Sequence, residues 1–367
     1  MILNEEQALL RETVAQFFNE KAPISELRSL AGASDEQGYD LQLWSEMVEL
    51  GFPGITVPEV YDGLEFGWMG LGTIAQEAGR CLVASPLLSS VVLSQNLLLN
   101  CGSDAQITTY LPSLMSGEAT ATVALDEGRF FNPDAVAMSD ASGTLNGQKD
   151  RVLDAGQSAY IFCIAEQASG ERGVALVESS AEGVSIESRR TMDLHSSASI
   201  RLDGVPAADI VWLTGYDVAS GIQKTIDQAT IALSAEMMGS AREVLERTVA
   251  YLGEREQFDV KLGTFQALQH RCAHMYCELE LAESAVSAAL TALDHAAPNI
   301  GLLASSAKAL ANDCFTLISS EAVQLHGGMG VTEEMDIGLF LKRSRVCNQL
   351  LGSSSYHRDR YARLIGF

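Results

Sequence analysis

Arg255, Gln257 and Phe258 place a cation, an amide and an aromatic ring close together, on a short break between two helical patterns. Apolar residues recur at three- and four-residue spacing up to Leu252 and again from Phe265. A planar guanidinium presents paired donors to anionic oxygens, and an aromatic face can stack on a ring. This turn could therefore hold a ligand that carries a diphosphate and a ring. A solvated turn between two helices explains the same pattern, and this stretch alone favours that simpler interpretation.

Histidines and cysteines form no comparable constellation. His270 and His274 stand four residues apart on a helical pattern, but no HExxH motif or cysteine pair accompanies them. The seven cysteines are scattered without CxxC spacing, which is typical of free thiols in a reducing cytoplasm. We therefore predict no metal site and a cytoplasmic protein.

Composition excludes several classes of function. The 367 residues are 47% hydrophobic and 20% charged, and the formal net charge is −24. A charge of this sign argues against nucleic acid as a partner, because neutralisation of phosphates dominates such binding. No apolar run reaches twenty residues, and the first residues are acidic, so we predict neither a membrane span nor a secretory signal. An anionic ligand would need a local cluster of cations such as Lys342, Arg343 and Arg345.

The order of periodicities predicts an α+β protein in three parts. Helical spacing dominates residues 1–118, two-fold alternation dominates 119–215, and helical spacing returns over 216–367. In the middle part, 144–147 supplies a turn signal and short strands follow one another, as in a small antiparallel β-domain or barrel. The prediction is an N-terminal helical domain, a central β-domain and a C-terminal helical bundle.

Several motifs, at the right separations, resemble the acyl-CoA dehydrogenase family over essentially the whole chain. They are LWSEMVELGFPGITVPEVYDGLEFG (43–67), EAGRCLVASP (77–86), REQF with FQALQHRCAHM (255–275) and QLHGGMGVTEE (324–334). FQALQHRCAHM and the compact β-domain look most like the dehydrogenases of steroid side-chain degradation, many of which are hetero-oligomers of two related subunits. The resemblance implies the family fold, FAD as cofactor, an acyl-CoA substrate and electron-transfer flavoprotein as acceptor.

In that family a carboxylate removes the α-proton of an acyl-CoA thioester while a β-hydride passes to the flavin. The base must lie within hydrogen-bond reach of the proton, and donors must stabilise the charge that develops on the thioester oxygen. The resemblance matches ten residues to contacts with the adenosine and diphosphate of a flavin bound mainly by a neighbouring subunit. These are Arg255, Gln257, Phe258, Leu262, Phe265, Gln266, Gln324, Leu325, Gly327 and Gly328. Asp259 departs from the family's usual glycine and puts a carboxylate near the expected diphosphate.

The residues that would act on the chain's own flavin match poorly. In the family, one strand ends in Thr-Glu-Pro and is followed by a loop of small residues; the matching segment here is Ala124 to Phe131. A second family signature has Trp, a β-branched residue and Thr beside the flavin ring; the matching residues here are Arg151, Val152 and Leu153. Leu153 has no hydroxyl to offer flavin N5.

The two family positions of the catalytic base are matched by Leu351 and Ala229, which can do no proton chemistry, so the catalytic residue stays unknown. Asp227 points away from the face of Ala229. Glu236 returns to that face, but roughly 10 Å further along the helix. Glu236 is the better of these two candidates, although a structural role explains it more simply.

This asymmetry predicts that the chain is one subunit of a hetero-oligomeric acyl-CoA dehydrogenase and completes the flavin site of a related catalytic subunit. Members of the family usually have four subunits. One alternative is a self-sufficient dehydrogenase with an unrecognised base. Another is a flavin-free binding or scaffold protein of the same fold. A third is an oxygen-using flavin enzyme, against which the poor ring contacts argue.

Overall fold

The computed structural model describes residues 3–32, 34, 37–141 and 143–367. The chain forms two compact units. One comprises Met1–Ser25, Trp68–Val83 and Thr230–Phe367, and the other comprises Glu26–Gly67 and Ala84–Ala229. The boundaries after 118 and 215 stay a prediction, because this grouping joins segments that are distant in sequence.

Helices occupy the stretches for which the apolar spacing predicts them. The α-helices are α1 (Glu5–Lys21), α2 (Ile24–Leu30), α3 (Leu41–Glu49), α4 (Trp68–Cys81), α5 (Asn96–Cys101), α6 (Asp104–Met115), α7 (Val218–Glu254), α8 (Gln266–Asp294), α9 (Ile300–His326), α10 (Ile337–Gln349) and α11 (Ser354–Leu364). A π-helix, Leu87–Gln95, leads directly into α5.

The first helix shows how local sequence sets a boundary. Asn4 caps α1: its Oδ1 accepts a hydrogen bond from the Gln7 amide at 2.8 Å, and Gln7 Oε1 accepts one from the Asn4 amide at 3.1 Å. This reciprocal arrangement satisfies two amides that the helix itself leaves unpaired. Asn4 and Gln7 therefore form a capping box.

In the helical unit, α9 packs against α8, α10 and α11, and α4 packs against α1 and α8. Helices α4 and α7 approach closely at Gly79 and Gly239. A Cβ added at Gly79 would lie 2.0 Å from the Glu236 carbonyl oxygen, and one at Gly239 would lie 1.8 Å from that of Gln76. Only glycine permits such contact between two helix backbones.

The other unit contains an eight-stranded sheet in the order β6-β7-β3-β2-β4-β5-β8, with β1 paired to β4. Its strands are β1 (Ala121–Ala124), β2 (Ser139–Ala141), β3 (Thr144–Leu153), β4 (Tyr160–Glu166), β5 (Arg172–Glu178), β6 (Val184–Arg190), β7 (Ser196–Pro206) and β8 (Val211–Trp212). The sheet is mixed rather than wholly antiparallel, because β1 and β2 run parallel to β4. The β2–β3 hairpin lies between β1 and β4 in the chain and provides the crossover that parallel pairing needs.

The turn predicted at 144–147 is wrong, because these residues begin β3. Gly147 does not reverse the chain. It lies at an irregularity in the pairing with β7, where a Cβ would come within 2.7 Å of the Met138 Cα. Glycine therefore marks a close backbone approach within the strand.

Candidate functional site

The break after α7 is a small β-hairpin. β9 (Glu256–Gln257) pairs antiparallel with β10 (Val260–Lys261), and Phe258 and Asp259 form the two-residue turn. Both turn residues are left-handed, with φ of 57° and 63°. Such a turn matches the twist of the strands it joins but normally uses glycine or asparagine. A bulky residue such as Phe258 adopts this conformation only at a cost in strain.

The hairpin presents its functional side chains to solvent. Arg255 and Gln257 are exposed, and the Phe258 side chain is 86% exposed. The Phe258 and Phe265 rings meet edge to face at 6.4 Å. Within the described residues the Arg255 guanidinium has no hydrogen bond or ion pair. The Arg255 backbone, by contrast, donates to the Tyr251 carbonyl at 2.8 Å and accepts from the Leu262 amide at 2.9 Å. Two backbone hydrogen bonds thus anchor Arg255, whose exposed side chain stands three residues before the exposed Phe258 ring.

The second predicted segment follows α9. Gln324 is exposed, and a five-residue 3-10 turn, Gly327–Val331, begins directly after the helix. Gly327 has a φ of 59°, and a Cβ built on Gly327 or Gly328 would meet no atom within 4 Å. The backbone here faces open space, where a ligand can approach it. The Leu325 side chain is buried, so only its backbone is available to a ligand.

A stacked pair of rings joins these two segments. The Tyr251 and His326 rings lie 4.2 Å apart with an interplanar angle of 22°, and the Tyr251 hydroxyl lies 3.5 Å from the His326 carbonyl oxygen. Burial lowers the pKa of His326, and its Nδ1 lies 2.8 Å from the Ala322 carbonyl oxygen. Nearby, Arg271 of α8 pairs with Glu321 of α9 at 2.5 Å.

The structure therefore brings the ends of α7 and α9 together. The link is made by Tyr251 and His326, neither of which is among the residues predicted from the sequence. The signal available was their placement, four residues before Arg255 and directly before Gly327. Of the remaining predicted contacts, Leu262 is half-buried in the turn before α8, and Gln266 is the exposed first residue of that helix.

Leu351 and Ala229, which match the family's base positions, are both buried. Leu351 is left-handed, with a φ of 54°, and its carbonyl oxygen lies 2.8 Å from His357 Nε2. The Lys308 amine is fully buried and donates to the Cys347 carbonyl at 2.8 Å. Burial lowers the pKa of Lys308 to about 7. These contacts hold the turn around Leu351 in place by side chains of α9 and α11.

The two acidic candidates on α7 both have partners. Glu236 accepts from Arg343 Nε at 2.9 Å and from its Nη2 at 2.5 Å. Asp227 is buried and accepts from Gln223 Nε2 at 3.4 Å. Arg343, one of the clustered cations at 342–345, thereby forms an internal ion pair with Glu236.

Two ion pairs occupy the segments matched to the family's flavin-ring contacts. Lys149 is fully buried, and its amine lies 2.5 Å from Glu127 Oε1. Arg151 Nη2 lies 3.1 Å from Asp126 Oδ2, and Arg151 Nη1 donates to the Gly128 carbonyl at 2.7 Å. These charged contacts, together with the aliphatic Leu153, do not suit a neutral ring that needs a hydroxyl donor and apolar walls.

Over the described ranges, no three or more His, Cys, Asp or Glu side chains are grouped so that they could hold a metal ion. Within the same ranges, no helix combines the length and apolar character needed to cross a membrane.

Comparison with known proteins identifies the class. The N-terminal domain of acyl-CoA dehydrogenases matches residues 4–118, and the C-terminal domain of the same family matches residues 219–366. The chain is 30% identical over 351 residues to acyl-CoA dehydrogenase IpdE2 of Mycolicibacterium smegmatis, covering 95% of this chain and 96% of that protein. The chain therefore belongs to the acyl-CoA dehydrogenase family, whose members are oxidoreductases acting on acyl-CoA, and the predicted fold class is confirmed.

Solved structures extend the comparison. A variant of the Tcur3481–Tcur3483 steroid acyl-CoA dehydrogenase is 29% identical with a TM-score of 0.89, and 98% of each chain is covered. The ChsE4–ChsE5 complex from Mycobacterium tuberculosis is 24% identical with a TM-score of 0.89, covering 100% of this chain and 99% of that one. A glutaryl-CoA dehydrogenase from Mycobacterium smegmatis, solved with FADH2, is 22% identical with a TM-score of 0.88, covering 99% and 95%. The last two likenesses concern the fold alone.

Proposed function

We propose that this chain is a subunit of a flavin-dependent, hetero-oligomeric acyl-CoA dehydrogenase and lends the adenosine and diphosphate half of an FAD site to a related catalytic subunit. The observation that carries the proposal is the exposed hairpin of Arg255, Gln257 and Phe258 at the end of α7, together with the Tyr251–His326 stack that links this end to the open Gly327–Gly328 backbone after α9. A steroid acyl-CoA dehydrogenase with two named components, Tcur3481 and Tcur3483, supports the choice of a two-subunit assembly.

The donated half fits an adenine dinucleotide in its chemistry. Arg255 would pair with diphosphate oxygens, since a guanidinium fork matches them and its donors are uncommitted within the described part of the chain. Phe258, Phe265 and Leu262 would pack on the adenosine, while Gln257, Gln266 and Gln324 would supply amide hydrogen bonds. The backbone of Leu325, Gly327 and Gly328 would approach the cofactor without an intervening Cβ at the two glycines.

The chain's own ring site does not fit a flavin. Asp126, Glu127 and Arg151 lie at the matched positions and form ion pairs, Glu127 with Lys149 and Asp126 with Arg151. Leu351 and Ala229 lie where the family places its base. When bound, FAD would accept the hydride in the desaturation of an acyl-CoA thioester. The carboxylate that removes the α-proton and the donors to the thioester oxygen would then belong to the partner subunit. We propose that the substrate is an acyl-CoA whose acyl group is the side chain of a steroid. We propose electron-transfer flavoprotein as the electron acceptor.

Co-expression with a related subunit that has the family's glutamate tests this assignment. The pair should copurify as a yellow hetero-oligomer, of four subunits by family habit, that desaturates an acyl-CoA. The chain alone should be colourless and inactive. A yellow, active homo-oligomer obtained from this chain alone would overturn the proposal.

Asp259 provides a second, smaller test of the donated site. Its carboxylate is exposed on the turn beside Arg255, and its backbone is left-handed. Replacing Asp259 with Gly should raise flavin retention by the partnered complex severalfold, because the substitution removes a charge that repels the diphosphate and relieves the backbone. Flavin released on dilution measures the effect. Asp259→Asn, which removes the charge but keeps a side chain that tolerates this conformation, should give most of the gain. If neither variant retains more flavin, the carboxylate does not face the diphosphate.

A further inference from the structure

A pocket of about 490 Å³ lies on the β-sheet unit. Its residues are distant in sequence from the hairpin that contains Arg255. We call it the arginine pocket, because Arg129, Arg151, Arg189 and Arg190 line it, together with hydroxyls that include Ser197 and Ser199. Its volume lies within the range of small-molecule sites. Four arginines that line one pocket are unexpected in a chain whose formal net charge is −24.

Arg190 is held in position by backbone carbonyl groups. Its Nη2 donates to the carbonyl oxygens of Gln37 at 2.6 Å and Leu30 at 2.7 Å, and its Nη1 donates to that of Leu194 at 3.1 Å. Neutral carbonyl groups orient the guanidinium but leave its full charge in place. No carboxylate of the described residues forms an ion pair with Arg190, and its Nε is buried without a hydrogen-bond acceptor among them.

Arg189 and Arg129 carry charge that is only weakly compensated. Arg189 Nη2 lies 3.2 Å from the Ser199 hydroxyl and 3.2 Å from Glu187 Oε1. The Arg189 and Glu187 side chains are both largely exposed, and such pairs contribute little because water screens them. The exposed Arg129 lies over the Phe130 ring at 5.3 Å from its centroid. Both guanidinium groups can therefore turn toward an anion at small cost.

Arginines outnumber carboxylates among the described residues that line the pocket. Lys149 and Arg151 are neutralised by Glu127 and Asp126, as described above. The remaining arginines of the pocket are Arg129, Arg189 and Arg190. The other carboxylates are those of Asp150, which lines the pocket, and Glu187, which pairs with Arg189. Among the described residues that line the pocket, four are arginines and two, Glu127 and Asp150, carry carboxylates.

We propose that the arginine pocket binds a phosphate group. The planar guanidinium groups of Arg129 and Arg189 can each pair with two phosphate oxygens. The positive charge of Arg190 adds to their attraction, and the neighbouring hydroxyls add neutral donors. The pocket includes Arg129 and Arg151 from the two segments matched to the family's flavin-ring contacts. An anion-binding function at this position would explain why these segments carry arginine instead of the small and aromatic residues expected there. The proposal does not depend on the donation of a flavin site by Arg255.

Calorimetric titration of the full chain with pyrophosphate, at constant ionic strength, tests the proposal. The wild type should bind saturably, and the double variant Arg129→Gln/Arg189→Gln should bind roughly tenfold more weakly, because two charge-assisted contacts are lost. Arg201→Gln is the matched control: Arg201 is an exposed arginine on β7 that does not line the pocket. Its binding should equal that of the wild type.

A parallel titration with coenzyme A distinguishes the source of the phosphate. If coenzyme A binds more tightly than pyrophosphate and the double variant weakens both, the organic part of the ligand also contacts the chain. Equal affinities assign binding to the phosphate alone. The proposal is overturned if the wild type binds neither probe, or if Arg201→Gln weakens binding as much as the double variant. Flavin retention by the partnered complex should be unchanged in the double variant, which separates a failure here from a failure of flavin donation.

Discussion

Replacing Arg255 with Ala is expected to weaken flavin retention by the partnered complex at least about tenfold. A charge-assisted, bidentate contact between a guanidinium and a diphosphate contributes about 1.5–3 kcal/mol, and alanine supplies no donor in its place. The chain itself should keep its stability, because the Arg255 side chain makes no hydrogen bond or ion pair with the described residues, while its backbone bonds to Tyr251 and Leu262 remain.

Flavin retention is measured by dialysis of the copurified complex followed by absorbance of the bound flavin, and stability by urea unfolding of the chain alone. Arg201→Ala removes an exposed arginine from the β-sheet unit and serves as the control for net charge. Retention should fall in Arg255→Ala only. Equal retention in both variants and the wild type would show that Arg255 does not contact the cofactor.

Replacing Glu127 with Gln is expected to destabilise the β-sheet unit by about 3–5 kcal/mol, because it leaves the buried Lys149 ammonium without its counter-charge. Glu127 also accepts from the Met138 amide at 3.0 Å and from the Ala137 amide at 2.5 Å. Burial alone would raise the pKa of Glu127, but the hydrogen bond from Lys149 and those from the two amides outweigh it and lower the pKa.

The lowered pKa fixes the sign of the pH dependence. A carboxyl group with a lower pKa in the folded state stabilises the fold at pH values above its unfolded pKa, and this contribution is lost as the pH falls through the folded pKa. The stability difference between wild type and Glu127→Gln should therefore be largest near neutral pH and should shrink in acid. Urea unfolding at several pH values measures it.

Two further variants control the interpretation. Glu127→Gln/Lys149→Met removes both charges and should recover much of the lost stability, since a buried pair costs most when one partner is left alone. Asp203→Asn removes an exposed carboxylate 4.0 Å from Arg201 and should have no measurable effect. If Glu127→Gln is no more harmful than Asp203→Asn, Lys149 either loses its proton or reaches water in the variant.

The sequence was sufficient to predict secondary structure wherever one local pattern dominates. Helices α7 (Val218–Glu254) and α9 (Ile300–His326) lie within 216–367, where a long apolar stripe at helical spacing predicts helices. The sheet was less predictable. Gly147 was part of a predicted turn, but it lies within a strand, where its close approach to Met138 explains why the residue is glycine. Strand direction and order depend on pairing between distant segments, which periodicity does not encode.

The sequence by itself determined the family, the division into helices and strands, and the residue types at the two base positions, since these follow from motifs and local periodicity. Only the tertiary structure decided which side chains are available to contact a ligand. It exposed Arg255 and Phe258, committed Arg343 to Glu236, and joined the Arg255 hairpin to the Gly327 loop through Tyr251 and His326, which lie 75 residues apart. Availability depends on contacts between residues far apart in the chain, and such contacts are set by packing and not by spacing.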